Sequence, residues 1–232
     1  MKPGVTIITC TGDRPEAFAL CLKYIQRQTY TGSLQWIVVD DGVTATEVPS
    51  FSRESWFVTY LRPESQPEQN TLARNLLMAL PEVLYEKILV FEDDDCYAAG
   101  YIEAMEKELD ESPLVGEIPS RYYHVPTRKY RIMENHGRAS LCQTAFRAEL
   151  IPVLQSICRA YTDFIDVRFW DHIHQKRLVH SNLCVGIKGL PGRAGIGIGH
   201  NPTGPWWNGD PNLAFLRAWI GDDVELYREF MK

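Results

Sequence analysis

Residues 87–98 read Lys-Ile-Leu-Val-Phe-Glu-Asp-Asp-Asp-Cys-Tyr-Ala. An apolar run from Ile88 to Phe91 closes on Glu92, and Asp93, Asp94 and Asp95 follow side by side. A short apolar run bounded by polar residues reads as a strand buried on both faces of a parallel sheet. Four adjacent carboxylates cannot all stay ionised unless a cation balances them. Ligands of open α/β sheets bind just beyond the carboxyl ends of the strands. A hard divalent ion is the natural occupant, held by one or two carboxylates and completed by a ligand's phosphates. The simpler alternative is a solvated acidic turn that caps a helix beginning near Ala98.

Upstream of this stretch the chain alternates strand and helix. Residues 5–10 (Val-Thr-Ile-Ile-Thr-Cys) form a β-branched first strand, and Pro15 suits the first position of a helix reaching about Gln28. Gln35–Val39 is a second buried strand ending in Asp40-Asp41-Gly42, and Trp56–Leu61 is a third. Arg62–Gln69 reads as a loop, Thr71–Leu80 as a helix and Gly100–Leu109 as the helix after the acidic strand. This alternation is that of a doubly wound, mainly parallel α/β sheet. Its corners at Thr9–Arg14, Asp40-Asp41 and Asp93–Asp95 should share one sheet edge, which makes that edge the expected site.

Downstream the pattern changes to a smaller half of mixed strands at Arg121–Val125, Lys129–Met133 and Ala139–Ala145. Helices are expected at Ala148–Ala160 and about Asp163–Lys176, a strand at Leu178–Ile187 and a last helix at about Asp222–Phe230. Between Gly189 and Pro211 lie seven glycines and four prolines, the composition of a lid or a disordered segment. The reading is one domain over 1–232, with 1–110 as one half, 111–232 as the other and a lid near 189–211.

The 232 residues carry a net charge of −6, with 45% apolar and 23% charged residues, as in an ordinary soluble globular protein. No stretch approaches the length of a membrane span and no leader precedes the first strand, so a soluble, cytoplasmic protein is expected. Six scattered cysteines without a Cys-x-x-Cys pair suggest buried, reduced thiols. The acidic balance argues mildly against a general nucleic-acid binder. Within residues 121–147, however, six Lys/Arg face a single acid, a local charge of +5.

Four segments in order, Val-Thr-Ile-Ile-Thr-Cys-Thr-Gly-Asp-Arg-Pro (5–15), Trp-Ile-Val-Val-Asp-Asp-Gly (36–42), Leu-Ala-Arg-Asn (72–75) and Phe-Glu-Asp-Asp-Asp (91–95), carry a resemblance. They resemble the nucleotide-sugar half of a family 2-like glycosyltransferase with the GT-A fold, over roughly residues 4–110. The second half resembles that family only loosely, through residues 161–170.

The resemblance implies a metal-dependent transfer of a sugar from a nucleotide-diphosphate donor, a UDP-sugar by default, with inversion. It implies that Thr9 and Asp41 hold the base, with Thr11 and Arg14 nearby, and that Arg74 reaches the diphosphate or braces the acidic strand end. The acidic element is Glu92-x-Asp94 or Asp93-x-Asp95. The downstream helix favours the first, with Asp94 on the metal and Asp95 as the other candidate. His200, after the glycine-rich run 192–199, is similar to a late metal ligand of the family. The run lacks the Lys-Ser/Thr of a phosphate loop. Inversion needs a general base, for which Asp166 comes first, Asp163 second and Asp171 third. Asp163 and Asp166 are equally placed to cap a helix.

The acceptor follows from the basic segment. Arg128 and Arg131, interleaved with aromatic residues, suit a polyanion such as DNA carrying hydroxymethylated bases, which would have to be flipped out. A saccharide or other small hydroxyl compound fits equally. Trp206 and Trp207 are expected to shield the sugar or stack on a substrate, or simply to anchor the loop. Two other functions compete: a nucleotidyltransferase, which would want a richer glycine and lysine loop than Thr11–Arg14, and a catalytically inactive GT-A-like binding module.

Overall fold

The computed structural model describes residues 1–66, 69–193, 195 and 197–231. Five β-branched residues in succession, Val5 to Thr9, stiffen β1 (Lys2–Thr11). Pro15 opens α1 (Pro15–Gln26), which buries Phe18, Leu20, Tyr24 and Ile25. β2 (Leu34–Asp40), β3 (Trp56–Leu61), α2 (Leu72–Ala79), β4 (Tyr85–Val90), β5 (Cys96–Tyr97) and α3 (Tyr101–Glu108) follow. Next come β6 (Leu114–Glu117), β7 (Ser120–His124), β8 (Lys129–Met133), β9 (Thr144–Arg147), α4 (Ile151–Ala160) and α5 (Ile165–His172). β10 (Arg177–Val179), β11 (Cys184–Lys188), β12 (Asn208–Gly209) and α6 (Ala214–Ile220) complete the regular elements, before a 3-10 segment at Gly221–Phe230.

Two sheets result. The larger has the order β10-β6-β9-β4-β1-β2-β3, and the smaller has the order β12-β8-β7-β11-β5. β1, β2, β3 and β4 run parallel, which puts the corners after β1, β2 and β4 on one edge. β4 is buried on both faces, as its apolar run predicts. Leu89 and Phe91 join a core with Ile7, Trp36, Tyr97 and Tyr101, while Ile88 and Val90 join another with Ile37, Leu76, Phe146 and Trp170. Phe91 stacks on Tyr97 with ring centroids 3.8 Å apart, which fixes the chain as it leaves β4.

Several expectations change. β4 is parallel to β1 but antiparallel to β9, so its environment is mixed. The strand expected over Leu178–Ile187 is two strands in different sheets: β10 pairs with β6, and β11 pairs with β5 and β7. Periodicity cannot see that break, because polar residues 180–182 interrupt the run only briefly. Ala139–Ala145 turns through a 3-10 segment at Leu141–Gln143 before β9 begins. The last helix is a 3-10 segment, while β6 and α6 are elements the sequence reading lacked. The segment 189–211 is not structureless among its described residues. It contains a 3-10 turn at Ile198–His200, and β12 pairs with β8. Residues 67 and 68 of the expected loop, and 194 and 196 of the glycine-rich run, lie outside the described residues. No helix among the described residues is long and apolar enough to cross a membrane.

Candidate active site

The parallel pairing of β1 with β4, Ile8 opposite Val90, brings the two strand ends together. Thr11 Oγ1 donates to Asp93 Oδ2 at 2.8 Å. Arg14 forks across the next two acids, Nη1 to Asp93 Oδ1 at 2.7 Å and Nη2 to Asp94 Oδ2 at 3.0 Å. Both aspartates are buried and Arg14 is nearly so, which makes these charge-assisted bonds strong.

A second cation enters from the smaller sheet. β11 runs antiparallel to β5, whose first residue follows Asp95, so the end of β11 meets the acids side-on. Ile187 donates its backbone N–H to Asp95 Oδ1 at 2.9 Å. Lys188 Nζ lies 2.8 Å from Asp95 Oδ1, 3.1 Å from Asp94 Oδ1 and 3.6 Å from Glu92 Oε2. The cation that balances the four acids is therefore, in the first place, the protein's own. Lys188 has no part in the sequence reading, although a lysine closing the buried run Cys-Val-Gly-Ile (184–187) is the signal that could have found it.

These contacts sort the carboxylates. Burial would raise Asp94, but Lys188, Arg14 and His200 hold it well below the usual carboxylate range. Burial, with Asp94 adding to it, outweighs Arg14 and lifts Asp93 to about 6. Burial also raises Glu92 and Asp95 despite Lys188. Burial alone would lower Lys188, yet Asp94, Asp95 and Glu92 carry it well above an ordinary lysine. Asp94 is thus the firmly ionised member of the cluster.

At the end of β2 the two aspartates divide their roles. Asp40 accepts backbone N–H groups of Gly42 and Thr46 and the Tyr60 hydroxyl, and it pairs with Arg62, so it builds the turn. Asp41 is buried, with Arg74 Nη2 at 3.0 Å from Oδ2 and Arg193 on Oδ1. Burial pushes the Asp41 carboxyl up, but hydrogen bonds from Thr71, Arg193 and Asn75 hold it below its ordinary value. Arg74 therefore braces the acid after β2 and not the acidic end of β4. Thr9 is fully buried and accepts the Trp36 Nε1 hydrogen bond at 2.9 Å. It sits beneath the cleft floor, because its side chain points to the core face of β1, and Cys10 and Thr11 line the cleft in its place.

The cleft has a volume of about 490 Å³, within the range of small-ligand sites. Thr11, Arg14, Glu92, Asp93, Asp94, Lys188, Arg193 and His200 line it, together with Arg138, Ser140, Leu141, Phe164 and Asp166. Asp166, in the first turn of α5, has its carboxyl raised by burial against a smaller lowering effect of Val167 N–H and Arg138. Asp163 is half exposed, 3.7 Å from Arg168, and Asp171 is exposed; neither lines the cleft. Arg138 also lines the cleft and makes no ion pair among the described residues.

His200 Nε2 lies 4.0 Å from Asp94 Oδ2. Burial, then Lys188, depresses His200 to about 4, so its ring is neutral at pH 7. A neutral imidazole beside an ionised aspartate is a donor set that suits Mn2+ or Mg2+, so these two residues fit an ion. Asp95 lies beneath them and does not line the cleft, being taken up by Ile187 and Lys188.

The basic segment does not form one patch. Arg121 is buried toward Glu117 and Cys184 O, and Arg147 donates to the carbonyls of Leu109 and Asp110. Arg128 and Arg131 are half-buried outside the cleft. β-strand alternation explains this: residues adjacent in sequence point to opposite faces. The two tryptophans also part, Trp207 buried and Trp206 68% exposed.

A mainly parallel sheet whose corner acids, held by Arg14 and Lys188, line a cleft is the architecture of the GT-A class of nucleotide-sugar enzymes. The chain belongs to glycosyl transferase family 2, whose sequence profile matches residues 6–167. Among curated proteins none matches it. In fold it is similar to S. aureus TarS in complex with UDP, with a TM-score of 0.58 at 12% identity, covering 81% of this chain and 60% of that one. TarS in complex with UDP-GlcNAc gives a TM-score of 0.57 at 12% identity, covering 83% and 60%. The mannosyltransferase PcManGT from Pyrobaculum calidifontis, in complex with GDP-Man and Mn2+, gives 0.53 at 16% identity, covering 80% and 57%. The chain thus spans three fifths or less of the length of these similar structures.

Proposed function

We propose that this chain transfers a sugar from a nucleoside diphosphate donor, a UDP-sugar by default, to an acceptor hydroxyl with inversion at the anomeric carbon. One observation carries the reading. Asp166 lines the same cleft as Glu92 and Asp94, with its carboxyl raised by burial. A donor whose diphosphate rests on the acidic corner would then have its sugar in the cleft that Asp166 also lines.

Arg14 and Arg193 face the diphosphate position and supply charge-assisted hydrogen bonds there. Asp94 and His200 would hold the divalent ion, which when bound offsets the negative charge developing on the leaving diphosphate. Asp41 is the residue for the base: its carboxylate accepts the imide N–H of uracil once Arg193 shifts off Oδ1. Asp166 takes the proton of the acceptor hydroxyl, and its raised pKa makes it a stronger base than a surface aspartate. Leu141 and Phe164 line the same cleft and supply apolar surface beside the sugar position. The ligands of similar structures, UDP and UDP-GlcNAc in TarS and GDP-Man with Mn2+ in PcManGT, support a nucleotide-sugar donor and an ion.

For the acceptor we favour a saccharide or other small hydroxyl compound over hydroxymethylated DNA, because Arg121 and Arg147 are taken up by groups of the fold and Arg128 and Arg131 do not line the cleft. The test is a panel of labelled UDP-sugars with Mn2+, offered oligosaccharides on one side and DNA with hydroxymethylated bases on the other. The anomeric configuration of the product is then read by NMR. Label on the saccharide with inverted configuration supports the reading. Label on DNA would reassign the acceptor, and retained configuration would remove Asp166 as the base.

A further inference from the structure

We propose that Lys188 is a resident competitor for the cation position beside Asp94, so that a divalent ion binds this cleft strongly only together with a nucleoside diphosphate. The inference rests on the donor reading above and adds the order in which the site fills.

The Lys188 ammonium sits among three carboxylates, at 2.8 Å from Asp95, 3.1 Å from Asp94 and 3.6 Å from Glu92. With Arg14 on Asp94 Oδ2 at 3.0 Å, both oxygens of Asp94 are committed to cations of the protein itself. An ion arriving alone must displace one of them, and the displaced charge has nowhere to go. The lysine side chain is 6% exposed. Its stem is also pressed by the glycine-rich segment: a Cβ on Gly199 would lie 2.7 Å from Lys188 Cγ and 3.3 Å from Cδ. Only glycine permits that approach, and it keeps the ammonium in its cage. The ion and the ammonium would then share a poorly solvated space at short range, where like charges repel strongly.

A diphosphate changes the balance. Its oxygens give Lys188 and Arg14 new anionic partners and complete the ion's ligand shell, so ion and diphosphate favour each other. Linkage makes the effect reciprocal: whatever factor the nucleotide adds to ion affinity, the ion adds to nucleotide affinity. A lysine that merely braced the fold would not set this coupling.

The test measures Mn2+ binding by electron paramagnetic resonance on the full chain at pH 7.5, with and without saturating UDP, in the wild type and in Lys188→Met. Mn2+ alone is expected to bind the wild type weakly and to gain at least about tenfold with UDP. Lys188→Met, which keeps the stem and removes the charge, is expected to bind Mn2+ alone at least about tenfold more tightly, with a reduced gain from UDP. If Lys188→Met fails to fold by circular dichroism, Lys188→Gln carries the same expectation. A folded variant that binds Mn2+ no more tightly than the wild type overturns the proposal. So does a wild type that binds Mn2+ equally well with and without UDP. A protein that binds no UDP under any condition removes the donor reading instead, and the comparison of Mn2+ alone across the variants still decides the role of Lys188.

Discussion

Arg14 Nη1 stands 2.7 Å from Asp93 Oδ1, joining the corner after β1 to the corner after β4 across 79 residues of sequence. The same guanidinium reaches Asp94, so one side chain ties the two corners of the candidate site together. Asp94→Ala should leave the fold intact, because Arg14 keeps Asp93 and Lys188 keeps Asp95 and Glu92. Binding of UDP with Mn2+ should fall at least ~100-fold, beyond the loss typical of a group that only supports a ligand. Calorimetry on the folded variant checks this, and an unchanged affinity would move the ion away from Asp94.

Asp166→Asn should lower transfer at least ~100-fold with little change in UDP affinity, as loss of a general base does. Asp163→Asn should leave transfer close to wild type, since Asp163 turns to Arg168. In the wild type, kcat should rise with pH through a value above that of an ordinary aspartate, because burial raises Asp166 and the base works only when ionised. Equal losses of transfer in both variants would contradict this assignment, and a lowered melting temperature without loss of transfer would make the two residues helix caps.

His200 ties stability to pH. Its folded value of about 4 lies below the 6.5 of a free histidine, so the unfolded chain binds the extra proton between these two values. Stability from this group is full above about 6.5 and is lost as pH falls toward 4. Asp93, raised to about 6, acts in the opposite sense over an overlapping range, so the two must be separated. His200→Gln should narrow the drop in Tm between pH 7 and pH 4 by several degrees. Differential scanning calorimetry of both proteins at the two pH values decides it, and parallel curves would refute it.

Gly116 lies where β6 meets α5. A Cβ there would come within 2.3 Å of Ala139 Cβ and 2.5 Å of Trp170 Cζ2. Trp170 cannot retreat freely, because its Nε1 donates to Thr144 Oγ1 at 3.0 Å. Gly116→Ala should cost about 1–3 kcal/mol by overpacking. A melting temperature equal to wild type would show that the contact relaxes.

Trp206 is exposed while its neighbour Trp207 is buried. If the segment 189–211 closes over the donor, the fluorescence of Trp206 should shift when UDP-sugar and Mn2+ are added together, and Trp206→Phe should remove the shift. A wild-type signal indifferent to both ligands would count against closure.

Much of the first half was legible in the sequence, because strands buried on both faces write themselves as apolar runs and corner acids stand out at their ends. Ile88–Asp95 announced both the strand and the site. Asp163 and Asp166 lie three apart in sequence and only the fold tells them apart: Asp166 is in α5 and lines the cleft, whereas Asp163 precedes the helix and does not line it. Lys188 was invisible because its role depends on an antiparallel pairing of β11 with a two-residue strand, β5, which leaves no periodic trace. Thr9 and Arg74 were misplaced by a related limit: a residue's neighbourhood in sequence does not say which face of the strand or helix it points from. The charges of the basic segment, close in sequence, are likewise spread over two sheets, Arg121 and Arg131 in the smaller and Arg147 in the larger.

Sugar transfer in this cleft is decided by UDP release from UDP-sugars by the wild-type chain with Mn2+, measured beside Asp94→Ala and Asp166→Asn. Slow release from at least one UDP-sugar is expected without acceptor, none from Asp94→Ala, and acceleration by an acceptor that Asp166→Asn loses. Release of UMP instead of UDP, or no turnover of any nucleotide sugar while UDP and Mn2+ bind, would contradict it.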